Sequence, residues 1–171
     1  MKKIVVYSSL TGNTKKVAKA IAGELGCKAV CYSDEAAKNL DDFDFIAVGY
    51  YIYKGTIDTN FKRFIQENIK GKNVGLFITL GARADSEYAA KALKDGKKLL
   101  EDGQNSVIRE FISQGAISQK FIDEIRVAAL KTSNKKHYKI TSSREARWKE
   151  AALHPDTNDI INAKTAFRGI L

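Results

Sequence analysis

Seven residues, Ser8-Ser9-Leu10-Thr11-Gly12-Asn13-Thr14, directly follow an apolar run ending at Tyr7 and carry hydroxyls but no charge. Such a loop, between a buried strand and the start of a helix, is an anion site by geometry. The unpaired N–H groups at the helix start point outward, and the helix dipole favours negative charge there. Ser9, Thr11 and Thr14 add hydroxyl donors, and Gly12 lets the backbone wrap closely around a small anion. The nucleotide loop GxxxxGK[ST] is absent, as is the dinucleotide pattern GxGxxG. The preceding strand ends in serines rather than the acids of a phospho-accepting domain. A single monophosphate therefore suits the loop better than a triphosphate or a pyrophosphate. The plainer use of the same residues is a turn that caps the helix.

Other reactive side chains are sparse. Cys27 and Cys31 stand four apart and read as buried thiols in a reducing compartment. His137 and His154 are the only histidines, fall in no recognised zinc spacing, and read as surface residues without a role. No catalytic triad or base-partnered nucleophile is visible. The formal net charge is +9, concentrated between Arg126 and Lys149, where eight basic residues face one acid, Glu145. A basic patch fits nucleic acid, an anionic membrane surface, an acidic protein partner, or a solvated surface segment. No nucleic-acid signature accompanies it.

These residues need a scaffold. With 171 residues, 44% of them apolar, the chain is long enough for one packed domain and too apolar for global disorder. Strands are expected at 3–8, 27–33, 43–51, 73–81 and 106–113. Helices are expected at 14–25, from a cap at Asp58 or Thr59 to Ile69, at 86–100 and at 119–130. A polar, basic connector follows from Lys131 to about Glu145. A last helix is marked by Ile160, Ile161, Ala163, Ala166 and Phe167, with Pro155 in its first turn. Alternating strands and helices argue for a three-layer α/β sandwich: a five-stranded parallel sheet with helices on both faces. The order 2-1-3-4-5 puts the ligand beyond the carboxyl ends of strands one and three. Residues 1–171 read as one domain, with a basic connector and C-terminal helix extension from about 131. No apolar run is long enough to span a bilayer, and the N-terminal apolar patch meets Lys15 and Lys16 too soon for a signal peptide, so a cytoplasmic protein is expected.

Ser9-x-Thr11-Gly12-Asn13-Thr14 after a first strand resembles the phosphate loop of flavodoxins, [ST]-x-[ST]-G-x-T. The likeness extends over the element order of about residues 1–130, and residues 154–167 are similar to the closing segment of some flavodoxin-like proteins. The resemblance implies bound FMN. Ser9, Thr11, Gly12, Asn13 and Thr14 would hold its phosphate, with Ser8 or Leu10 contributing backbone. It also implies a ring site between two loops. The first carries Tyr51, Ile52, Tyr53, Lys54 and Gly55, with Tyr51 or Tyr53 stacking and Tyr50 completing the third strand. The second carries Gly81, Ala82, Arg83, Asp85 and Tyr88, although Ala84-Asp85 stands where the family usually has Gly-Asp. Tyr88 is the second stacking residue or a helix-face core residue. The Lys54-Gly55 peptide matches, imperfectly, the family's turn beside flavin N5. The Lys54 charge is expected to raise the reduction potential.

The function implied is an FMN electron carrier. Most flavodoxins are acidic; this basic chain is expected to meet a redox partner through an acidic face on that partner. Residues 48–65 are also similar to the quinone-dependent protoporphyrinogen oxidases, basic flavodoxin-fold enzymes that work at a membrane, which would give the basic stretch a bilayer to touch. A flavin-free binding module is the third reading.

Overall fold

A computed structural model describes residues 1–132 and 138–170. Five strands form one parallel sheet in the order β2-β1-β3-β4-β5. They are β1 (Lys3–Tyr7), β2 (Lys28–Cys31), β3 (Phe45–Tyr51), β4 (Asn73–Leu80) and β5 (Ser106–Gln114). The helices are α1 (Asn13–Leu25), α2 (Thr59–Asn68), α3 (Glu87–Glu101), α4 (Gln119–Lys131), α5 (Ser142–Ala151) and α6 (Thr157–Phe167). The chain crosses from β1 outward to β2, then returns past β1 to β3, so the order reverses where the ends of β1 and β3 lie side by side. There Val6 pairs with Val48 and Tyr7 with Gly49.

Side-chain alternation along the strands divides the core. Ile4, Val6, Ile46, Val48, Leu76 and Ile78 face Phe61 and Ile65 of α2 and Leu100 of α3. Val5, Tyr7, Phe45, Ala47 and Phe77 face Val17 and Ile21 of α1 and Phe167 of α6. A third, small cluster of Ile122, Ile125 and Trp148 joins α4 to α5. The caps follow from sequence chemistry. The carboxylate of Asp58 accepts from Phe61 N–H at 2.9 Å, and Ser86 and Ser118 cap α3 and α4 in the same way.

Two details depart from the expected elements. Residues 142–151, placed in or just beyond the basic connector, form α5, started by Thr141 accepting from Arg144 N–H. Its polar, basic sequence hides a narrow buried edge, Trp148 and Ala151. Pro155 precedes the last helix rather than opening it. A capping box sets the start: Asp156 and Asp159 each accept from the other's backbone N–H, at 2.9 and 2.8 Å. Cys27 and Cys31 are free, half-buried thiols, and burial pushes the Cys27 thiol up. His154 is not a bare surface residue: its Nδ1 lies 2.5 Å from Asp159 Oδ2, and both are largely shielded from solvent. His137 lies outside the described residues.

Candidate functional site

At the tip of β1 the chain turns through Ser8–Gly12 into α1. Gly12 takes φ 96°, a left-handed conformation that glycine alone adopts freely, and this aims the first N–H groups of α1 outward. No acid occupies the first helical turn. The Ser9 hydroxyl sits among these donors and accepts from Gly12 N–H at 3.1 Å and Lys15 N–H at 3.3 Å. One neutral oxygen thus occupies a ring of donors suited to an anion.

The other loop residues divide by task. Ser8 is buried and its N–H donates to Gly49 O at 2.9 Å, so it belongs to the ladder between β1 and β3. Leu10 is well exposed. Asn13 donates from Nδ2 to Thr11 Oγ1 at 3.2 Å and to Ala116 O at 2.9 Å, which ties the loop to the segment after β5. The buried Thr14 hydroxyl shares a 2.8 Å hydrogen bond with Thr79 Oγ1 near the end of β4. Asn13 and Thr14 therefore use side-chain capacity to brace the loop.

Beside this loop lies an open cleft of about 1020 Å³. Leu10, Thr11 and Asn13 line it, together with Tyr51, Ile52, Tyr53, Lys54 and Gly55 after β3, and Gly81, Ala82, Arg83 and Tyr88 after β4. Three loops far apart in sequence thus meet at the point where the strand order reverses. Tyr50 is buried in the sheet, as expected, and burial raises its phenol pKa. Tyr51 is half-buried; burial is also the first cause of its raised pKa. Tyr88 is 45% exposed and faces the cleft instead of the core.

The first tyrosine loop closes in a tight turn. Tyr53 and Thr56 exchange backbone hydrogen bonds at 3.0 and 3.1 Å across Lys54 and Gly55, both at positive φ. The turn folds the loop onto α4. The Tyr53 ring meets Phe121 edge-on, with centroids 5.4 Å apart. Lys54 Nζ lies 5.1 Å from the Tyr53 ring centre and 3.5 Å from Glu124 Oε2. Its pKa is raised, first by a hydrogen bond with Tyr53 and then by charge. The Lys54 charge thus reaches the cleft with a counter-charge attached. On the second loop, Arg83 holds Asp85 in a two-point pair at 3.0 Å each and reaches Glu150 of α5 at 3.3 Å. That guanidinium holds the Asp85 carboxyl below its usual range. Asp85, Ser8, Ser9, Gly12 and Thr14 are not among the residues that line the cleft.

The family model described as a flavodoxin domain matches residues 4–168. The chain belongs to the flavodoxin family. A flavodoxin-like domain-containing protein, BilS, from Clostridioides difficile strain CD3, is 31% identical to this flavodoxin over the whole chain and 97% of the relative. The solution structure of two-electron-reduced Megasphaera elsdenii flavodoxin is 27% identical, with a TM-score of 0.52, over 64% of this chain and 84% of that one. The flavodoxin, WrbA-like protein of Agrobacterium tumefaciens matches the fold over 96% of this chain and 98% of its own, with a TM-score of 0.56 and 17% identity. Membership implies flavin binding.

The sequence reading missed one whole side of the flavodoxin cleft. Phe121, Glu124, Ile125 and Ala128 of α4, and Arg144, Arg147 and Trp148 of α5, line it as well. Helical spacing marks the α4 stripe in the sequence. Nothing local says that this stripe turns toward the ends of β3 and β4. Among the described residues no helix is long and apolar enough to cross a membrane.

Proposed function

We propose that this flavodoxin binds FMN and carries electrons between redox partners. One observation carries the reading: the donor-lined loop at β1 and the tyrosine-bearing loops after β3 and β4 open onto one cleft. The donor set fits a phosphate monoester. Ser9 and Thr11 would hold it with the first N–H groups of α1, and Leu10 would add backbone. Gly12 lets the ester approach, while Asn13 and Thr14 keep the loop in shape. The Ser9 hydroxyl, which now accepts from Gly12 and Lys15, would rotate to donate to the ester and release both N–H groups to it. The ring would lie between Tyr51, Ile52, Tyr53, Lys54 and Gly55 on one side and Gly81, Ala82 and Tyr88 on the other, with the Arg83–Asp85 pair at the rim.

Bound there, FMN supplies reversible electron transfer at its ring; the protein supplies position and electrostatics. Lys54 favours negative charge near the ring and Glu124 opposes it. Lys54→Ala is therefore expected to lower the reduction potential and Glu124→Gln to raise it, in a spectroelectrochemical titration. Movement in the same direction would end this assignment. The excess positive charge suits a partner with an acidic docking face, and complex formation should weaken with salt.

The deciding experiment is a titration of flavin-free protein. FMN is expected to bind one to one, quench Trp148, the chain's single tryptophan and part of the cleft wall, and outbind riboflavin by about a hundredfold, as two charge-assisted hydrogen bonds would give. Protein that stays colourless and ignores FMN would instead be a flavin-free binding module.

A further inference from the structure

The cleft is larger than the two tyrosine-bearing loops need. At about 1020 Å³ it stands at the upper end of the range for a single small-molecule site. The added length runs along α4. Phe121, Ile125 and Ala128 line it at a spacing that covers about 10 Å of helix, leading away from the Asn13–Ala116 bond at the phosphate loop. The facing helix, α5, contributes Arg147 and Trp148. This half is aromatic and aliphatic at its base: Trp148 is only 6% exposed, with the Arg126 guanidinium 5.9 Å from its ring centre, and Phe121 and Ile125 pack into the same cluster.

The charges around the cleft are unequally committed. Lys54 is engaged by Glu124, and Arg83 by Asp85 and Glu150. Arg147 is exposed, lines the cleft, and forms no hydrogen bond or ion pair among the described residues. A guanidinium in a cleft with an apolar, partly aromatic wall suits a flat molecule that carries a carboxylate or sulfonate: the fork takes the acid and the wall takes the plane.

We propose that the α4–α5 half of the cleft is a second ligand site, taking an aromatic organic anion on Phe121, Ile125 and Trp148 with its acid on Arg147. The proposal rests on the FMN reading in one respect: the anion sits alongside the flavin and does not replace it.

The test uses the full chain, flavin-free and FMN-saturated, with 2-naphthalenesulfonate as the probe and 2-naphthalenemethanol as its uncharged counterpart, measured by equilibrium dialysis. The sulfonate is expected to bind one to one, about tenfold tighter than the alcohol, with FMN saturation changing its affinity by less than about threefold. Arg147→Ala should remove the preference for the sulfonate while leaving the alcohol's affinity in place. Arg147→Lys should keep part of the preference, and Lys149→Ala, on the same helix but outside the cleft, should keep all of it. Equal binding of the two probes, displacement of the sulfonate by FMN, or an unchanged preference in Arg147→Ala would overturn the proposal. If the protein takes up no FMN, the flavin reading falls by itself; the sulfonate-to-alcohol ratio and its response to Arg147→Ala then decide the second site.

Discussion

The wall of the cleft built at the ends of β1, β3 and β4 hangs from a parallel ladder packed on both faces, whereas the wall built from α4 and α5 rests on three buried side chains, Ile122, Ile125 and Trp148. On the first wall, main-chain hydrogen bonds and the Thr14–Thr79 hydroxyl pair fix each loop to the core. On the second, position comes from side-chain packing and from contacts with the facing loops, Tyr53–Phe121, Lys54–Glu124 and Arg83–Glu150. A wall continuous with the core can open only if the core opens. A wall resting on one small cluster can open by itself, at a smaller free-energy cost. The difference teaches where each kind of contact belongs: a fixed end at the hydroxyl-bearing loop and an adjustable far end.

The comparison breaks first at Phe167, which is fully buried on the sheet and packs edge-on against Phe45 and Phe77. Phe167→Ala is expected to cost about 3–5 kcal/mol in urea denaturation and to unfold both walls together. Two separate transitions would show that the walls fold independently of this residue. Ile122→Ala, with a predicted cost of about 2–4 kcal/mol, should act locally. Its signature is faster amide hydrogen exchange in α4 and α5 with little change in β1 and β3.

Thr14→Val leaves Thr79 without its buried partner and should cost about 1–3 kcal/mol, together with weaker FMN binding by calorimetry. Unchanged stability would mean that the pair does not brace the loop. Alkaline pH sharpens the same contrast. Tyr50 has a raised pKa because it is buried, so the folded state keeps its proton after the unfolded chain has lost it. Its stabilising contribution is complete below the unfolded value of about 10 and falls above it by about 1 kcal/mol per pH unit. Tyr50→Phe should flatten that slope. Smallest is Arg83→Ala: its partners are exposed, and a loss below about 1 kcal/mol is expected.

The sheet and the turn from β1 into α1 were legible because their signals are local. Apolar runs with no polar interruption, such as Phe45–Tyr50, mark buried parallel strands; hydroxyls after such a run mark a helix start; and a cap was expected at Asp58 or Thr59, of which Asp58 supplies it. The loop after β3 stood out by its cluster of tyrosines, whereas the loop after β4 was picked out by the family resemblance. The tasks of Asn13 and Thr14 were not, because a side-chain donor does not declare its partner, and Ala116 and Thr79 lie far along the chain. Helix α5 was hidden by its own charge, since only Trp148 and Ala151 of its ten residues are buried. Glu124 could not be matched to Lys54 without knowing that the turn at Lys54-Gly55 folds toward α4.

The N-terminal side of the cleft is fastened by residues that come much later in the sequence. Ala116, which holds Asn13, donates its own N–H to His154 O at 2.9 Å, and Lys16 reaches Pro155 O at 2.5 Å. Farther on, Arg168 grips Glu24 at 2.8 Å and Lys3 reaches Ile170 O at 2.6 Å. A polypeptide growing from its N-terminus exposes the hydroxyl loop early and its fastening stitches late. A chain halted before His154 would therefore carry the hydroxyl loop without these fastenings.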